Sequence, residues 1–559
     1  MRSSRLKLYL PFLALAVVQA GLMAVAPSVN DAGSGTAASA GFDPNAPVDP
    51  NAPAADPNAP PVDPNAPPVD PNAPAADPNA PAADPNAPAP AAAAAAAPAG
   101  GGGGSCQGPQ QDVTRVSPPC VPPFEGDNGG GTYQGVSGTE VKVVFFASEP
   151  NEQVDAILAT QGLASKEEEI VAFLNAATKF INERYELYGR TVKLERVVGD
   201  CPTTPPDVAA CKAAAREVVN KKPFMVLWAT PLYPSVFDEF ARAGIVSLGG
   251  WQFDESLFIR RAPFRYDPVM DGTQSARFIG EYYCKKLAKK PASHSGQIIH
   301  PTIGNRDQVP RRLGIVVPEP NLPAAVILRD IVAGCDAQPP VVKTYVSDIT
   351  TASQQTAATL SALIQGKVTT VACLCDPIAP TFLTNGATGQ RYFPEHLLTG
   401  FQFQDSDLVG RLYNAEQWKH AFGPVLLAPQ PKQEDGDEDR VFRAGGGSGN
   451  ACTTCGIPWA YMGMMASLLQ RAGPNLNPQT LQQGALSTPP QGGTPETPLL
   501  QLGQNDFTLV SDVREVFWSA STPSAVDGKA GSYVGLNGNR RYRLGQLPPN
   551  LTGVPVEPR

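Results

Sequence analysis

Two closely spaced cysteine pairs are the first residues in this chain whose types and spacing could do chemistry. Cys373 and Cys375 stand in "TTVACLCDPIAP" (369–380), with Asp376 directly after them, and Cys452 and Cys455 stand in "ACTTC". In a reducing compartment four such thiols would suggest zinc or a redox pair, whereas outside the cytosol disulfides are the default. C-x-C is not the usual zinc-knuckle spacing. "CTTC" follows a glycine-rich loop rather than a strand, so a thioredoxin-like reading fails on context although a helix comes after it. The chain has ten cysteines, an even number, which suits a disulfide framework.

A catalytic constellation is hard to assemble from the rest. There are four histidines, His294, His300, His396 and His420, and no HExxH or G-x-S-x-G pattern. "GGGSGN" from Gly445 has no following lysine and no preceding strand, so it reads as a loop and not a phosphate cradle. His294 and His300 fall in an apparent insertion, "PASHSGQIIHPTIGNRDQVP", and read as surface-loop residues. The residues point to no cofactor and no metal. An enzyme working through thiols or a metal is the least favoured reading.

The compartment follows from the start of the chain. "MRSSRLKLYLPFLALAVVQAGLMAVAP" has a basic beginning (Arg2, Arg5, Lys7) and an apolar run from Leu8 to Ala26, the pattern of a secretory signal. Ala24-Val25-Ala26 and Val18-Gln19-Ala20 are the candidate cut sites, and the run is also close to the length needed to stay in a bilayer as an anchor. The protein is therefore expected to be exported, extracellular or associated with the cell envelope, and to touch membrane only if the segment is kept. Net charge is −9 over 559 residues, and more than half of it lies in the first 105. With no basic stripe, nucleic acid is excluded as a partner.

From Asp43 the motif "DPNAP" occurs seven times, followed by poly-alanine and "GGGGS". These units carry nothing to bury and predict a disordered, extended stalk. At ~3.1 Å per residue, positions 43–98 would reach roughly 170 Å. The organisation expected is a signal peptide or N-terminal anchor over 1–26, the stalk over 27–105, a cysteine-containing connector over 106–135, a globular domain over 136–546 and a tail over 547–559. Cys106 and Cys120 would close a small loop in the connector.

Within the globular part strands and helices alternate. "EVKVVFFAS" (140–148) predicts a buried strand, and "KEEEIVAFLNAATKFINERYELYG" a helix with Ile170, Phe173, Leu174, Ala177 and Ile181 on one face. The same alternation continues through "FMVLWATP", "IVSLGG", "RRLGIVV", "PPVVKTYVS" and "VTTVACLCD". That order implies parallel sheets covered on both faces, in two successive α/β lobes. "QPKQEDGDEDRVFRAGGGSGNAC" reads as an acidic, flexible loop.

Four stretches together carry a family likeness: "INERYELYGRTVKLERVVGDC", "ARAGIVSLGGWQFDESLFIRRAPFRYDPVMDGTQSARFIGEYY", "CGIPWAYMGMMASLLQRAGPNLNPQTLQQGAL" and "GSYVGLNGNRRYRLGQ". In their order, over roughly Glu140 to Gln546, the chain resembles type I periplasmic substrate-binding proteins of the leucine/isoleucine/valine-binding kind, which serve ABC transporters. The resemblance implies two Rossmann-like lobes joined by a three-crossing hinge. The N-lobe would take about 136–268 and 430–500, the C-lobe about 269–429 and 501–546, and Asn537-Gly538 would turn a closing hairpin.

It also implies where ligand sits, at the carboxyl ends of the strands. In the N-lobe that places Ser148 and Glu149, Thr230, and Gly250 and Trp251 at the cleft. In the C-lobe it places Asn321, Asp376, and Phe401 and Gln402 there, and Tyr461 matches a position from which the family sends an aromatic ring inward. The sequence departs from the amino-acid binders. "ATPLYPS" is poorer in hydroxyls near the strand end, the next loop is "GGWQ", and "TGFQFQDS" has Phe401 and Gln402 where an acid for the α-ammonium would stand. A buried ammonium without a carboxylate is costly, so a simple zwitterionic amino acid is not the expected ligand.

The family frequently bridges near Cys201 and Cys211, and the implied lobes put Cys284 and Cys335 together at the base of the second one. Whether Cys373 and Cys375 cross-link to Cys452 and Cys455, and so limit how far the cleft opens, stays open. The function expected is an extracytoplasmic solute-binding protein handing a small molecule to a membrane permease or a sensor. The alternative is a cell-envelope interaction protein on the same fold.

Overall fold

The structure, a computed structural model, describes residues 106–228, 233–250 and 252–549. The expected signal segment, the stalk and the end of the tail lie outside the described residues, as do Thr230 and Trp251.

The first lobe is built on β1 (Glu140–Ser148), β2 (Thr191–Gly199), β3 (Met225–Trp228), β4 (Val246–Leu248) and β5 (Arg265–Tyr266). They form one parallel sheet in the order β2-β1-β3-β4-β5. Val143, Val144, Phe145 and Phe146 are consecutive and all buried, as a strand covered on both faces requires. Three helices follow β1 and β2: α1 (Glu152–Ala159), α2 (Glu167–Arg184) and α3 (Val208–Asn220). Phe173, Ala177, Phe180 and Ile181 turn one stripe of α2 onto the sheet. Asp207 caps α3 by accepting from the Ala209 and Ala210 amides, both at 2.9 Å. The short α4 (Val236–Arg242) follows β3 and buries Phe237 and Phe240.

The second lobe opens with α5 (Gly272–Tyr282). Its sheet contains β6 (Leu313–Pro318), β7 (Val341–Tyr345), β8 (Thr370–Cys373), β9 (Glu395–Leu397), β10 (Ala421–Val425), β11 (Val513–Pro523) and β12 (Ala530–Gly535), interleaved with α6 (Leu322–Ala333), α7 (Ala352–Gln365) and α8 (Ala379–Gly389). The order is β12-β11-β10-β9-β8-β6-β7, parallel from β10 to β7 and antiparallel at β11 and β12. After β10 the chain returns to the first lobe for α9 (Asp437–Ala444), α10 (Gly456–Ala472) and α11 (Pro478–Ser487), then crosses back to β11. Met462 and Met465 of α10 join the first lobe's core.

The chain thus passes between lobes three times, and the crossings are tied to each other. The Asp267 amide donates to the Phe507 carbonyl at 3.1 Å and the Leu509 amide to the Asp267 carbonyl at 2.9 Å. Asp405 Oδ2 accepts from the Leu426 and Leu427 amides at 2.9 and 2.8 Å, holding the second crossing.

Three local expectations change. The "QEDGDEDRVFRA" stretch is not a flexible loop: α9 forms within it, and Phe442 stacks on Phe173 of α2 at 6.4 Å between centroids. The acidic residues masked the Val441-Phe442 pair that anchors it. Asn537-Gly538 does not turn a hairpin. Both flanking segments pair with β11, Gly535 opposite Val516 and Tyr542 opposite Val513, so the turn is an excursion from one edge. His294 is not on a surface loop. Its ring packs edge-on against Phe422 at 4.8 Å, and its amide donates to Glu395 Oε1 at 2.8 Å. Glu395 is a long-range anchor that local reading does not find: it holds Arg311 through Nη2–Oε1 (2.7 Å) and Nε–Oε2 (3.1 Å) in a fully buried pair.

The pairing of the cysteines, open from the sequence, is settled by the structure. All ten are paired, as Cys106–Cys120, Cys201–Cys211, Cys284–Cys335, Cys373–Cys375 and Cys452–Cys455. No bridge crosses the cleft. Cys373 and Cys375 sit in a core cluster of the second lobe, Cys452 and Cys455 in that of the first. The strand ends at Cys373, and the chain contracts so that the Cα atoms of Cys373 and Cys375 lie 5.0 Å apart, against about 6.6 Å for alternate residues of an extended strand. They meet each other.

These bridges should differ in their effect on stability. Cys284–Cys335 spans 51 residues and joins the ends of α5 and α6, for which chain-entropy arguments give about 4 kcal/mol. Cys373–Cys375 closes a loop of two, worth under about 2 kcal/mol on the same basis. In urea or guanidinium unfolding, Cys284→Ser/Cys335→Ser should lose at least twice the stability lost by Cys373→Ser/Cys375→Ser.

Candidate functional site

The two sheets point their strand ends at one another, and the loop after β4 fills the space between. Gly249 and Gly250 adopt φ of 137° and 142°, and a Cβ on Gly250 would lie 2.1 Å from Arg265 Nη2. Glycine is required there by close approach as well as by backbone conformation. Arg265 is fully buried, its guanidinium stacked 3.8 Å from the Phe237 ring centroid and 4.6 Å from that of Phe258. Burial lowers its pKa to about 9.

The loop then delivers Gln252, at φ 62°, into the second lobe. Its carbonyl accepts from Asn321 Nδ2 at 3.0 Å, its Oε1 from the Gln402 amide at 2.6 Å, and its Nε2 donates to Ser275 Oγ at 3.3 Å. Gln402 also has positive φ, 46°. Two non-glycine residues in the left-handed region thus face each other across the cleft, a cost that the surrounding hydrogen bonds offset. What remains at the centre is a cavity of about 20 Å³ bounded by Gln252, Asp267, Gln402, Asp405 and Tyr461, room for about one water.

Beside this plug a cavity of about 270 Å³ opens between the lobes. Val154 and Leu158 of α1, with Thr203 and Thr204, form its first-lobe side. The carboxyl ends of β6, β7 and β8 and the start of α8 form the other, where Val316, Ile349, Ile378 and Phe382 keep the walls apolar. Thr204 fastens the lobes over its edge: Oγ1 donates to Asp348 Oδ1 at 3.2 Å and accepts from the Ile349 amide at 2.8 Å.

The polar corner is Asp376. Its Oδ1 accepts from the Ile378 and Ala379 amides, both at 2.9 Å, at the start of α8. Its Oδ2 accepts from Tyr345 Oη at 2.6 Å and Ser347 Oγ at 3.1 Å. Burial drives the Tyr345 pKa well above its ordinary value, so the phenol stays a donor. The carboxylate's lone pairs are occupied from within the protein.

The sequence-derived residues fall in different places. Asp376 and Gln402 line the larger cavity, Gln402 and Tyr461 the small central one. Asn321 is 2 % exposed and committed to the Gln252 carbonyl. Gly250 is buried beneath the plug. Ser148 is half-buried at the end of β1, and Glu149 is exposed beyond it; neither lines these cavities. Phe401 does not face the cleft: it is fully buried in the core of the second lobe, because Gly400 and Gln402 turn the chain with φ of 65° and 46° and send the ring inward. Sequence reading missed Gln252, although it directly follows the quoted "GGW", and missed Tyr345, which a rule based on strand ends would include.

Replacing Gln252 by alanine should leave the Gln402 amide without its acceptor in a buried setting, at a cost of about 1–3 kcal/mol. The expected result is a lower unfolding free energy of that size and faster hydrogen exchange at Gln402. An unchanged exchange rate would count against Gln252 as the bridge.

No family model matches the chain, and no curated protein sequence does. Among solved structures it is similar to an ABC transporter substrate-binding protein from Aeropyrum pernix, at 11% identity and a TM-score of 0.49, covering 73% of this chain and 96% of that one. It is also similar to a solute-binding protein of an ABC transporter from R. palustris, in complex with 4-hydroxybenzoate (12% identity, TM-score 0.49, 72% and 97% covered). A third is a fatty acid ABC transporter substrate-binding protein from Thermomonospora curvata (14%, 0.49, 74% and 97%). In its own strand order and its three interlobe crossings, the chain has the two-lobed α/β fold of type I periplasmic-binding proteins.

Proposed function

We propose that this chain is an extracytoplasmic solute-binding protein, which captures a small molecule between its lobes and hands it to the permease of an ABC-type importer or to a sensor. The observation that carries this reading is the 270 Å³ cavity, built jointly by both lobes at the carboxyl ends of the second sheet. Five disulfides that use every cysteine support an oxidising, exported setting.

The lining selects by charge. Two carboxylates line it and both are engaged, Asp376 by four protein donors and Asp348 by Thr204, Thr350 and Thr351, so a ligand ammonium would have to displace protein donors to pair with either. No Lys, Arg or His is among the lining residues described, so a ligand carboxylate would be buried without a cation. The solute is an uncharged molecule with a mainly apolar body. Binding requires no covalent step, and lobe opening about the three crossings provides entry.

Neutral apolar compounds should raise the melting temperature, by about 2.7 kcal/mol of stabilisation at a hundredfold excess over Kd. Leu158→Trp, which fills the first-lobe wall, should weaken binding at least tenfold in calorimetry while leaving the ligand-free melting temperature close to wild type. Shifts confined to zwitterionic amino acids, or undiminished in Leu158→Trp, would contradict the assignment.

A further inference from the structure

A second and larger cavity, about 470 Å³, lies on the hinge side and shares no lining residue with the first. All three crossings contribute to it: Val269 from the first, Leu426 to Pro431 from the second, Leu500 and Leu509 from the third. The first lobe supplies one wall through Trp459, Met464 and Leu468 of α10, and the second lobe supplies Phe403, Leu408 and Val409 opposite. The crevice is long and mainly hydrocarbon, and the solute-binding reading above makes no use of it.

Its charges are one-sided. Asp437, Glu438 and Glu496 line it, with Arg115 as the cation. Arg115 is already engaged: its Nε lies 3.2 Å from Asp437 Oδ1, and its amide donates to the same oxygen at 3.1 Å. Glu438 makes no ion pair among the described residues. It stands beside the amino end of α10, where a Cβ on Gly456 would be 3.7 Å from its carboxyl carbon. That helix end favours the ionised carboxylate, while burial raises its pKa. A half-buried carboxylate that feels Arg115 only at longer range, the guanidinium being paired with Asp437, and that lines an apolar crevice is complementary to one class of molecule.

We propose that this crevice is a second binding site, for an amphipathic cation: an amine whose ammonium pairs with Glu438 and whose hydrocarbon lies along α10 beneath the crossings. Charge and shape act together. The apolar walls supply affinity that any alkyl chain would share, and Glu438 supplies the preference for the cation over neutral and anionic analogues.

The test uses n-octylamine, 1-octanol and octanoate as probes of one chain length, with the full protein, titrated by calorimetry and by tryptophan emission. In the wild type, octylammonium should bind at least tenfold more tightly than octanol, and octanoate should bind most weakly. Glu438→Gln should remove the advantage of the amine over octanol and leave octanol binding unchanged. Trp459→Phe should abolish the emission change but not the heat. Equal binding of the amine and the alcohol to the wild type would overturn the proposal without recourse to any variant. So would an amine affinity indifferent to Glu438→Gln, or no binding of any probe. Because 1-octanol is also the uncharged, apolar kind of probe assigned to the cleft, the series is repeated in Leu158→Trp, which weakens the cleft alone: the preference for the amine, and its loss in Glu438→Gln, should persist there.

Discussion

One side chain closes the gap where the two sheets face each other. Gln252 leaves the first lobe on a backbone that only the preceding glycines allow, and it is gripped by Asn321, Gln402 and Ser275 of the second lobe. Most of what is distinctive in the site depends on that contact. It occupies the place where strand ends converge, reduces the central space to about 20 Å³, and leaves the usable volume on either side of itself. The cleft is divided by protein.

The same economy appears at Asp376. A carboxylate at a strand end invites a reading as a ligand group, yet here it caps α8 and anchors Tyr345 and Ser347. Its charge is stabilised by four uncharged donors that the fold supplies, which holds the corner and occupies the lone pairs an ammonium would need. A cavity with two hydrogen-bonded acids, Asp348 and Asp376, no lining cation among the described residues and mainly apolar walls disfavours charge: an anion would lose its hydration without replacement, and a cation would have to break bonds the fold already makes.

Much of the fold was legible because its signals are local. "EVKVVFFAS" is the strand it reads as, residue for residue, and the stripe on α2 needed only helical spacing. What sequence alone left out depends on contacts between distant segments. Phe401 sits at the right strand end, but positive φ values on either side of it, at Gly400 and Gln402, turn it into the core. The cysteine pairs at 373/375 and 452/455 were open to cross-linking, and the structure closes each on itself, the first at the end of β8 and the second just before α10. The buried Arg311–Glu395 pair joins residues 84 positions apart, and no local pattern announces it. The site residues follow the same rule. Asp376 and Gln402 were found from strand ends, whereas Gln252 matters only because of what faces it.

The central claim is that solute occupies the apolar flank bounded by α1, β7 and α8, and leaves the Gln252 bridge in place. Hydrogen–deuterium exchange on the protein purified with its natural solute, compared with the same protein stripped by unfolding and refolding, tests this most directly. Bound solute should slow exchange in 154–158, 345–349 and 376–383 while Gln402 exchanges at the same rate in both samples. Protection concentrated in 249–254 and at Gln402, with the flank unaffected, would contradict it.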